Sequence, residues 1–250
     1  MKTTYFFAFI LTITLLTSCT KETPTTVNPV ATSNLSITFN NTVNGKTISS
    51  SDTNYRNAAN NLYTIGLIKY YVTNIALVDE NNNEWFAKNY NLIDVNETAQ
   101  NTFMLKNIPN AKYTKLKFML GVDSLRNSTG VQDGYLDPSH GMIWDWNTGY
   151  IFFKHEGNYI NTANVVKPLR LHLGQNISRG NVQVDLPLLN VNGITSKLLI
   201  DFDLNKVYSA QNIIDFNIDN DRQSTDAVDT FWMVNMRKNL EKSFIFGKAE

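Results

Sequence analysis

The sequence predicts a mainly β protein, folded as a single β-sandwich-like domain with long loops and a C-terminal amphipathic helix. Three observations lead to this fold class. Between residues 35 and 204 the chain carries eight to ten short β-rich runs separated by turn residues, a spacing typical of sandwiches and barrels. Its 34 Asn residues lie mostly between these runs, where Asn favours turns. Near the C-terminus the apolar spacing changes to that of a helix.

The strands can be followed from the N-terminus. Residues 35–39 alternate strictly between apolar and polar side chains, which predicts one buried face. Asn44 and Gly45 follow as a tight-turn pair. Residues 65–79 form a longer run that we expect to be buried on both faces, and residues 80–83 form the next turn. The remaining predicted strands are 85–94, 102–105, 115–122, 150–156, 169–173, 181–187 and 197–204.

The C-terminal region is expected to form one amphipathic helix. Its apolar side chains recur at intervals of three and four residues, which places them on one helix face. They are Val228, Phe231, Trp232, Met236 and Leu240. The hydroxyl of Ser224 or Thr225 can cap the N-terminus of this helix. We expect the apolar stripe to pack against the sandwich.

The N-terminus is typical of an exported lipoprotein. Residues 1–18 combine Lys2, a short apolar run and small residues before Cys19, which is the arrangement of a secretory signal peptide. The apolar run is shorter than the ~20 residues of a membrane span. The order Leu-Thr-Ser-Cys resembles a bacterial lipobox, in which Cys19 becomes the lipid-bearing first residue of the mature protein. The alternative is an ordinary signal peptide with an incidental Cys.

Lipidation of Cys19 predicts a location in the cell envelope, because acyl chains on this residue would anchor the protein to a membrane. The residue after Cys19 is Thr20 rather than Asp, which favours the outer membrane over retention in the inner membrane. Residues 19–33 are rich in Thr, Pro and Asn and are typical of a flexible tether. Residues 34–250 are expected to form the domain.

The composition argues against several classes of function. Lys plus Arg and Asp plus Glu each number 22, so the net charge is zero. Nucleic-acid binding is not expected, because contacts to phosphates need a basic surface. The chain contains one Cys, which excludes an internal disulfide and a Cys-cluster metal site. The sequence carries no nucleophile-elbow, zinc-protease or phosphate-loop motif, so we do not expect an enzyme.

Residues 121–157 carry the most specific pattern in the chain. They read G-V-D-S-x-R-N at 121–127 and L-D-P-x-x-G-M-x-W-x-W-x-x-G-Y-x-F-x-K-x-E-G at 136–157, and a His-x-Gly turn follows at His172. This pattern resembles the MbnP-like copper-binding domain family of exported bacterial proteins. Residues 67–77 are similar to the strand that precedes the block in that family.

The resemblance covers essentially the whole mature domain, and the lipobox and Asn-rich composition resemble members from the Bacteroidetes. It implies copper binding for capture, storage or hand-off, with a copper donor or acceptor protein as partner. Distant relatives, MopE and CorA of methanotrophs, bind copper through two His and a Trp oxidised to kynurenine. Imidazole and thioether groups suit copper. The candidate copper ligands are His172, Met142, His140, Trp144 and Trp146.

The side-chain pattern gives an expected orientation for some of these candidates. His172 alternates with three Leu in residues 169–173, so it is expected to face polar surroundings or a site rather than the main core. His140 and Met142 are two residues apart and would point to the same side if the segment is extended.

A second function stays open on the sequence alone. In this alternative the domain is a metal-free recognition module whose Trp/Tyr-rich loop, residues 142–150, contacts a partner protein or a glycan, since aromatic anchors dominate such contacts. Some candidate residues also have purely structural explanations. We expect His155 to be packed in the core, and Lys154 and Glu156 to form an ion pair beneath the Trp loop.

Overall fold

The chain folds into two β-sheets in the computed structural model, which describes residues 30–49, 54–145, 148–193, 195–224 and 230–250. The strands are β1 (Thr32–Val43), β2 (Lys46–Thr47), β3 (Tyr55–Arg56), β4 (Leu62–Tyr63), β5 (Leu67–Asp79), β6 (Glu84–Asp94), β7 (Thr102–Pro109), β8 (Ala111–Leu120), β9 (Ile151–Ile160), β10 (Val166–Gly174), β11 (Gly180–Val191), β12 (Ser196–Asp203), β13 (Asp221–Gln223) and β14 (Phe244–Ala249). The α-helices are α1 (Ser124–Ser128), α2 (Leu204–Val207), α3 (Phe216–Asp219) and α4 (Thr230–Glu241). The predicted mainly β fold is confirmed.

The smaller sheet has the strand order β14–β12–β1–β2, and β7 also pairs with β1. β1 and β12 are parallel, with Leu35 opposite Ser196. β1 and β2 form a hairpin whose central residues, Asn44 and Gly45, have φ values of 52° and 78°. Positive φ at both central residues is the backbone of a type I′ turn, so the turn predicted from the Asn-Gly pair is confirmed.

The larger sheet has the strand order β11–β8–β5–β9–β10–β13, with β6 also paired to β5, β4 to β9 and β3 to β4. β8 and β9 follow one another along the same edge of β5. Leu120, at the end of β8, lies opposite Val72, and Phe153 of β9 lies opposite Tyr70. The other edge of β5 carries β6. The chain therefore leaves the sheet after β8 and returns to the same edge with β9. The described residues between them, 121–145 and 148–150, form one long loop.

The two faces of β5 are buried in different hydrophobic clusters. Tyr70 and Val72 belong to the main core between the sheets, together with Phe39 of the smaller sheet. Tyr71 belongs to a second cluster, because successive side chains of a strand point to opposite faces. The second cluster consists of Tyr71, Leu92, Val122, Leu136, Met142, Trp144, Tyr150, Ile151 and Phe152. The long loop thus covers the outer face of the larger sheet, and the predicted burial of β5 on both faces is confirmed.

The predicted strands correspond to β1 and to β5 through β12. β1 begins at Thr32, inside the segment that composition assigns to the tether. β14 has no counterpart among the predicted strands. It follows α4 and pairs antiparallel with β12, so a strand rather than the helix lies last among the described elements.

α4 confirms the predicted C-terminal helix, with one correction to its buried face. Trp232, Met236 and Leu240 are buried, but Phe231 is 80% exposed. The buried arc of the helix runs from Trp232 to Met233. Phe231 lies about 100° beyond Trp232 on the other side, so it faces solvent. Within the described ranges, no helix combines the length and apolar character needed to cross a bilayer.

Of the two predicted caps of this helix, Ser224 lies within the described residues. The hydroxyl of Ser224 accepts a hydrogen bond from the N–H of Gly174 and donates one to the carbonyl of His172 at 3.2 Å. Ser224 therefore ties the end of β13 to β10. Thr225 and Val228 lie outside the described residues.

Candidate metal centre

The long loop, residues 121–150, is tied to the sheet through its own polar side chains. The Asp123 carboxylate caps α1 by accepting from a backbone N–H of the first turn at 3.2 Å, and it also accepts from the Tyr90 hydroxyl of β6. Asn127 Oδ1 accepts from the backbone N–H of Tyr150 at 2.8 Å. The start of the loop is thereby joined to its end.

Two tyrosines beneath the loop hold its middle. The Tyr71 hydroxyl donates to the carbonyl of Tyr135 at 2.9 Å, and the Tyr150 hydroxyl donates to the carbonyl of Leu136 at 3.0 Å. Burial raises the pKa of both phenols. They therefore stay protonated and act as donors at neutral pH.

A tight turn precedes Met142 and separates it from His140. Asp137 caps a 3-10 turn, Pro138–His140, through the N–H of Ser139 at 2.8 Å. Gly141 then adopts the left-handed conformation with φ 67°. The segment is therefore not extended, so the condition under which His140 and Met142 would point to the same side is not met.

The structure places these two candidate ligands in different surroundings. Met142 is fully buried in the second cluster. His140 lies on the loop surface, with Nε2 3.2 Å from the carbonyl oxygen of Gly134 and its ring 6.2 Å from the ring of Tyr135. His140 is therefore engaged with its own loop.

His172 lies on the outer face of the larger sheet, under the loop. Leu171 and Leu173 of β10 belong to the main core, so the alternation of the strand directs His172 to the opposite face. In the register it lies opposite Lys154 of β9. Its Nε2 is 2.7 Å from Oε1 of Glu156, and its side chain is 8% exposed. The predicted orientation away from the main core is confirmed.

The His172–Glu156 pair consists of a neutral imidazole and a carboxylate. Burial lowers the pKa of His172, against the opposing effect of the hydrogen bond to Glu156. Burial alone would raise the pKa of Glu156, but the charge of Lys154 and the hydrogen bond from His172 lower it. A carboxylate can only accept a hydrogen bond, so Nε2 of His172 carries the proton and Nδ1 holds the lone pair.

Trp144 packs beside this imidazole. The two ring centroids are 5.9 Å apart at an interplanar angle of 50°. Gly174 makes room for the indole: a Cβ there would lie 3.3 Å from Trp144 Nε1 and 2.6 Å from the carbonyl oxygen of Tyr150. The His-x-Gly segment, expected as a turn, instead lies at the end of β10. It combines a candidate ligand with the space that its neighbouring Trp requires.

Two lysines on the same face hold the turn before Met142. Lys69 Nζ donates to the carbonyl of His140 and Lys154 Nζ to the carbonyl of Gly141, each at 3.2 Å. Lys69 pairs with Asp94 at 3.0 Å, and Lys154 lies 3.4 Å from Glu156 Oε1. The predicted Lys154–Glu156 ion pair is present. Neither Lys69 nor the contact between Glu156 and His172 was predicted from the sequence.

Among the described candidates, His172 has the chemistry of a copper ligand. A neutral imidazole whose N–H is held by a carboxylate is the usual state of a metal-binding His, and His172 has this state. The soft thioether of Met142 suits Cu(I) and lies in the same cluster as Trp144. Within the described ranges, however, no three His, Cys, Asp or Glu side chains are grouped so that they could hold a metal ion. Trp146 and Cys19 lie outside the described residues.

Comparisons with known proteins identify one family. The model of the MbnP family matches residues 32–228. The solved structure of MbnP from Methylosinus trichosporium has a similar fold, with a TM-score of 0.52 and 15% sequence identity over 74% of this chain and 80% of that chain. No curated protein sequence matches the chain significantly.

Proposed function

Because the chain belongs to the MbnP family, we propose that it binds copper at the cell envelope, for capture, storage or hand-off to another protein. One observation carries this proposal. The imidazole of His172 is neutral, nearly buried, and held through Nε2 by Glu156 at 2.7 Å. Nδ1 is then the nitrogen that would ligate copper.

The surroundings of His172 favour a ligand role. Metal affinity requires a deprotonated imidazole nitrogen, and burial keeps the pKa of His172 below its ordinary value. A carboxylate on the other ring nitrogen fixes the tautomer and raises the basicity of the ligand. Met142 is the soft donor of the set, and it would favour Cu(I). Trp144 shields the imidazole on one side.

The alternative recognition function receives less support from the loop. A recognition loop must expose its aromatic anchors, but Trp144 is 6% exposed and Tyr150 is 1% exposed. Both side chains pack in the second cluster. In the described part of residues 142–150, the aromatic side chains therefore support the loop itself.

Membrane attachment is part of the same proposal. Lipidated Cys19 would anchor the domain through the tether, with the outer membrane as the favoured location. We propose no catalytic activity. Cys19→Ala should release the protein into the soluble periplasmic fraction, because the mature chain loses its acyl anchor. Full membrane retention of this variant in cell fractionation would show that the anchor is wrongly assigned.

Copper titration of the purified domain tests the binding site. We expect His172→Ala to weaken copper affinity by at least about 10-fold, since even residues that only orient a ligand are worth about 10–100-fold. His140→Ala is the matched control, because it removes an imidazole from the same region that is engaged with Gly134. It should change the affinity by less than about threefold. Unchanged affinity in His172→Ala, with an unchanged melting temperature, would refute the site.

A further inference from the structure

Lys69 and Lys154 lie side by side on the outer face of the larger sheet. They are directly opposite in the register of β5 and β9, and their side chains are 18% and 15% exposed. Their ammonium groups donate to the carbonyls of His140 and Gly141, which are consecutive in the chain. Each lysine thus holds one carbonyl of the turn that leads into Met142.

The two lysines differ in their carboxylate partners. Lys69 pairs with Asp94 of β6, on the side of β5 away from β10. Lys154 lies 3.4 Å from Oε1 of Glu156. This same oxygen accepts a hydrogen bond from Nε2 of His172, 2.7 Å away. Of these two lysines, Lys154 alone is joined to the proposed ligand by this chain of contacts.

This chain of contacts spans the two parts of the proposed centre. His172 and Glu156 are on strands of the sheet, whereas Met142 and Trp144 are on the loop. Lys154 contacts both parts, because its ammonium group binds a loop carbonyl and the carboxylate that orients the imidazole.

We propose that Lys154 is a positioning residue that locks the tautomer and orientation of His172 to the loop. The inference rests on the proposed copper site. In the copper-free protein, loss of Lys154 would leave the Glu156 side chain without a fixed geometry. The imidazole of His172 would then no longer have a single protonated nitrogen. Lys69 holds the same turn, but it pairs with Asp94 and does not orient His172.

The test compares Lys154→Met, Lys69→Met and Lys154→Arg in the purified protein. The first readout needs no copper: ¹H–¹⁵N NMR of the imidazole nitrogens reports which nitrogen of His172 carries the proton. We expect the Nε2–H form in the wild type, in Lys69→Met and in Lys154→Arg, and a mixture of both tautomers in Lys154→Met. Should Lys154→Met not fold, Lys154→Gln, which is also uncharged, takes its place.

The second readout is copper affinity. Lys154→Met should weaken it by about 10–100-fold, the usual effect of losing a residue that orients a ligand. Lys69→Met should stay within about threefold of the wild type, although both Met variants should speed amide exchange in residues 140–142. Lys154→Arg should recover most of the affinity, because Arg keeps the charge and the donors.

The two readouts separate this inference from the proposed function. If the wild type binds no copper but Lys154→Met mixes the tautomers, the proposed function is wrong and the positioning role stands. If copper binds through His172 but Lys154→Met keeps the Nε2–H form and the wild-type affinity, the positioning role is refuted. Equal loss of affinity in Lys69→Met and Lys154→Met also refutes it, since the lysines would then act only by holding the turn.

Discussion

Acidification from pH 7 to about 5 is expected to destabilise the fold through His155. This residue is fully buried in the main-core layer of β9, where its Nδ1 lies 2.5 Å from the Tyr208 hydroxyl and its ring packs against Tyr63. Burial lowers the pKa of His155 to about 4. Burial also raises the pKa of Tyr208, so the phenol stays protonated and donates a hydrogen bond to Nδ1 of the neutral imidazole.

The sign and size of the effect follow from proton linkage. In the unfolded chain His155 has its ordinary pKa near 6.5 and binds a proton below that pH, whereas the folded protein binds it only near pH 4. The unfolded state therefore gains protons first, and stability falls as the pH falls through this window. One pKa unit corresponds to about 1.4 kcal/mol, so the loss is about 2 kcal/mol at pH 5 and about 3 kcal/mol at pH 4.

The assay is urea unfolding of the wild type and His155→Asn at pH 7, 6 and 5. Asn keeps an acceptor near the position of Nδ1 but does not titrate. The variant should be less stable than the wild type at pH 7, because the smaller side chain leaves a cavity. The difference in the free energy of unfolding between the two proteins should narrow by about 2 kcal/mol from pH 7 to pH 5. Other carboxylates and imidazoles titrate in both proteins and cancel, so a difference that stays constant with pH would refute the reasoning.

Two further predictions concern the candidate centre. Gly174→Ala should destabilise the fold by about 1–3 kcal/mol, since the new Cβ would lie 2.6 Å from the carbonyl oxygen of Tyr150; a melting temperature equal to that of the wild type would contradict this. Glu156→Gln should weaken copper affinity about 10–100-fold while changing stability little, because Glu156 is half-exposed; wild-type affinity by copper titration would show that the carboxylate does not orient His172.

The turn chemistry of the fold was largely predictable from Asn. Among the described residues, six of the seven non-Gly positions with positive φ are Asn. They are Asn44, Asn60, Asn74, Asn82, Asn107 and Asn164. Asn74, however, lies inside β5, at an irregularity of the pairing between Thr73 and Ile75. Asn tolerates positive φ in bulges as well as in turns, so the residue type alone could not tell a turn from a bulge.

The candidate site was predicted one residue at a time but not as an assembly. The alternation of β10 correctly placed His172 away from the core, and the alternation of β9 placed Lys154 and Glu156 on one face. Their meeting depends on the register of β9 with β10, where His172 lies opposite Lys154. Both strands run further than the sequence suggested, β9 to Ile160 and β10 from Val166. The short connection between β9 and β10, which would have fixed this register, was therefore not recognisable from the sequence.

The position of the long loop could not be predicted from the sequence, for a different reason. Its placement follows from β8 and β9 sharing one edge of β5, which is a property of strand order and leaves no local pattern in the sequence. Sheet-borne and loop-borne groups meet only because of this arrangement. His172 and Glu156 are fixed by a paired register. Met142 and Trp144 lie on the loop, where the Met142 carbonyl accepts from the N–H of Ile151 at 2.8 Å and the N–H of Trp144 donates to the carbonyl of Gly149 at 3.4 Å. We therefore expect copper exchange to displace the loop and leave the sheet in place. Amide exchange of residues 140–145 and of β10, with and without copper, would measure this. Copper should change the protection of the loop amides and leave the protection of β10 unchanged.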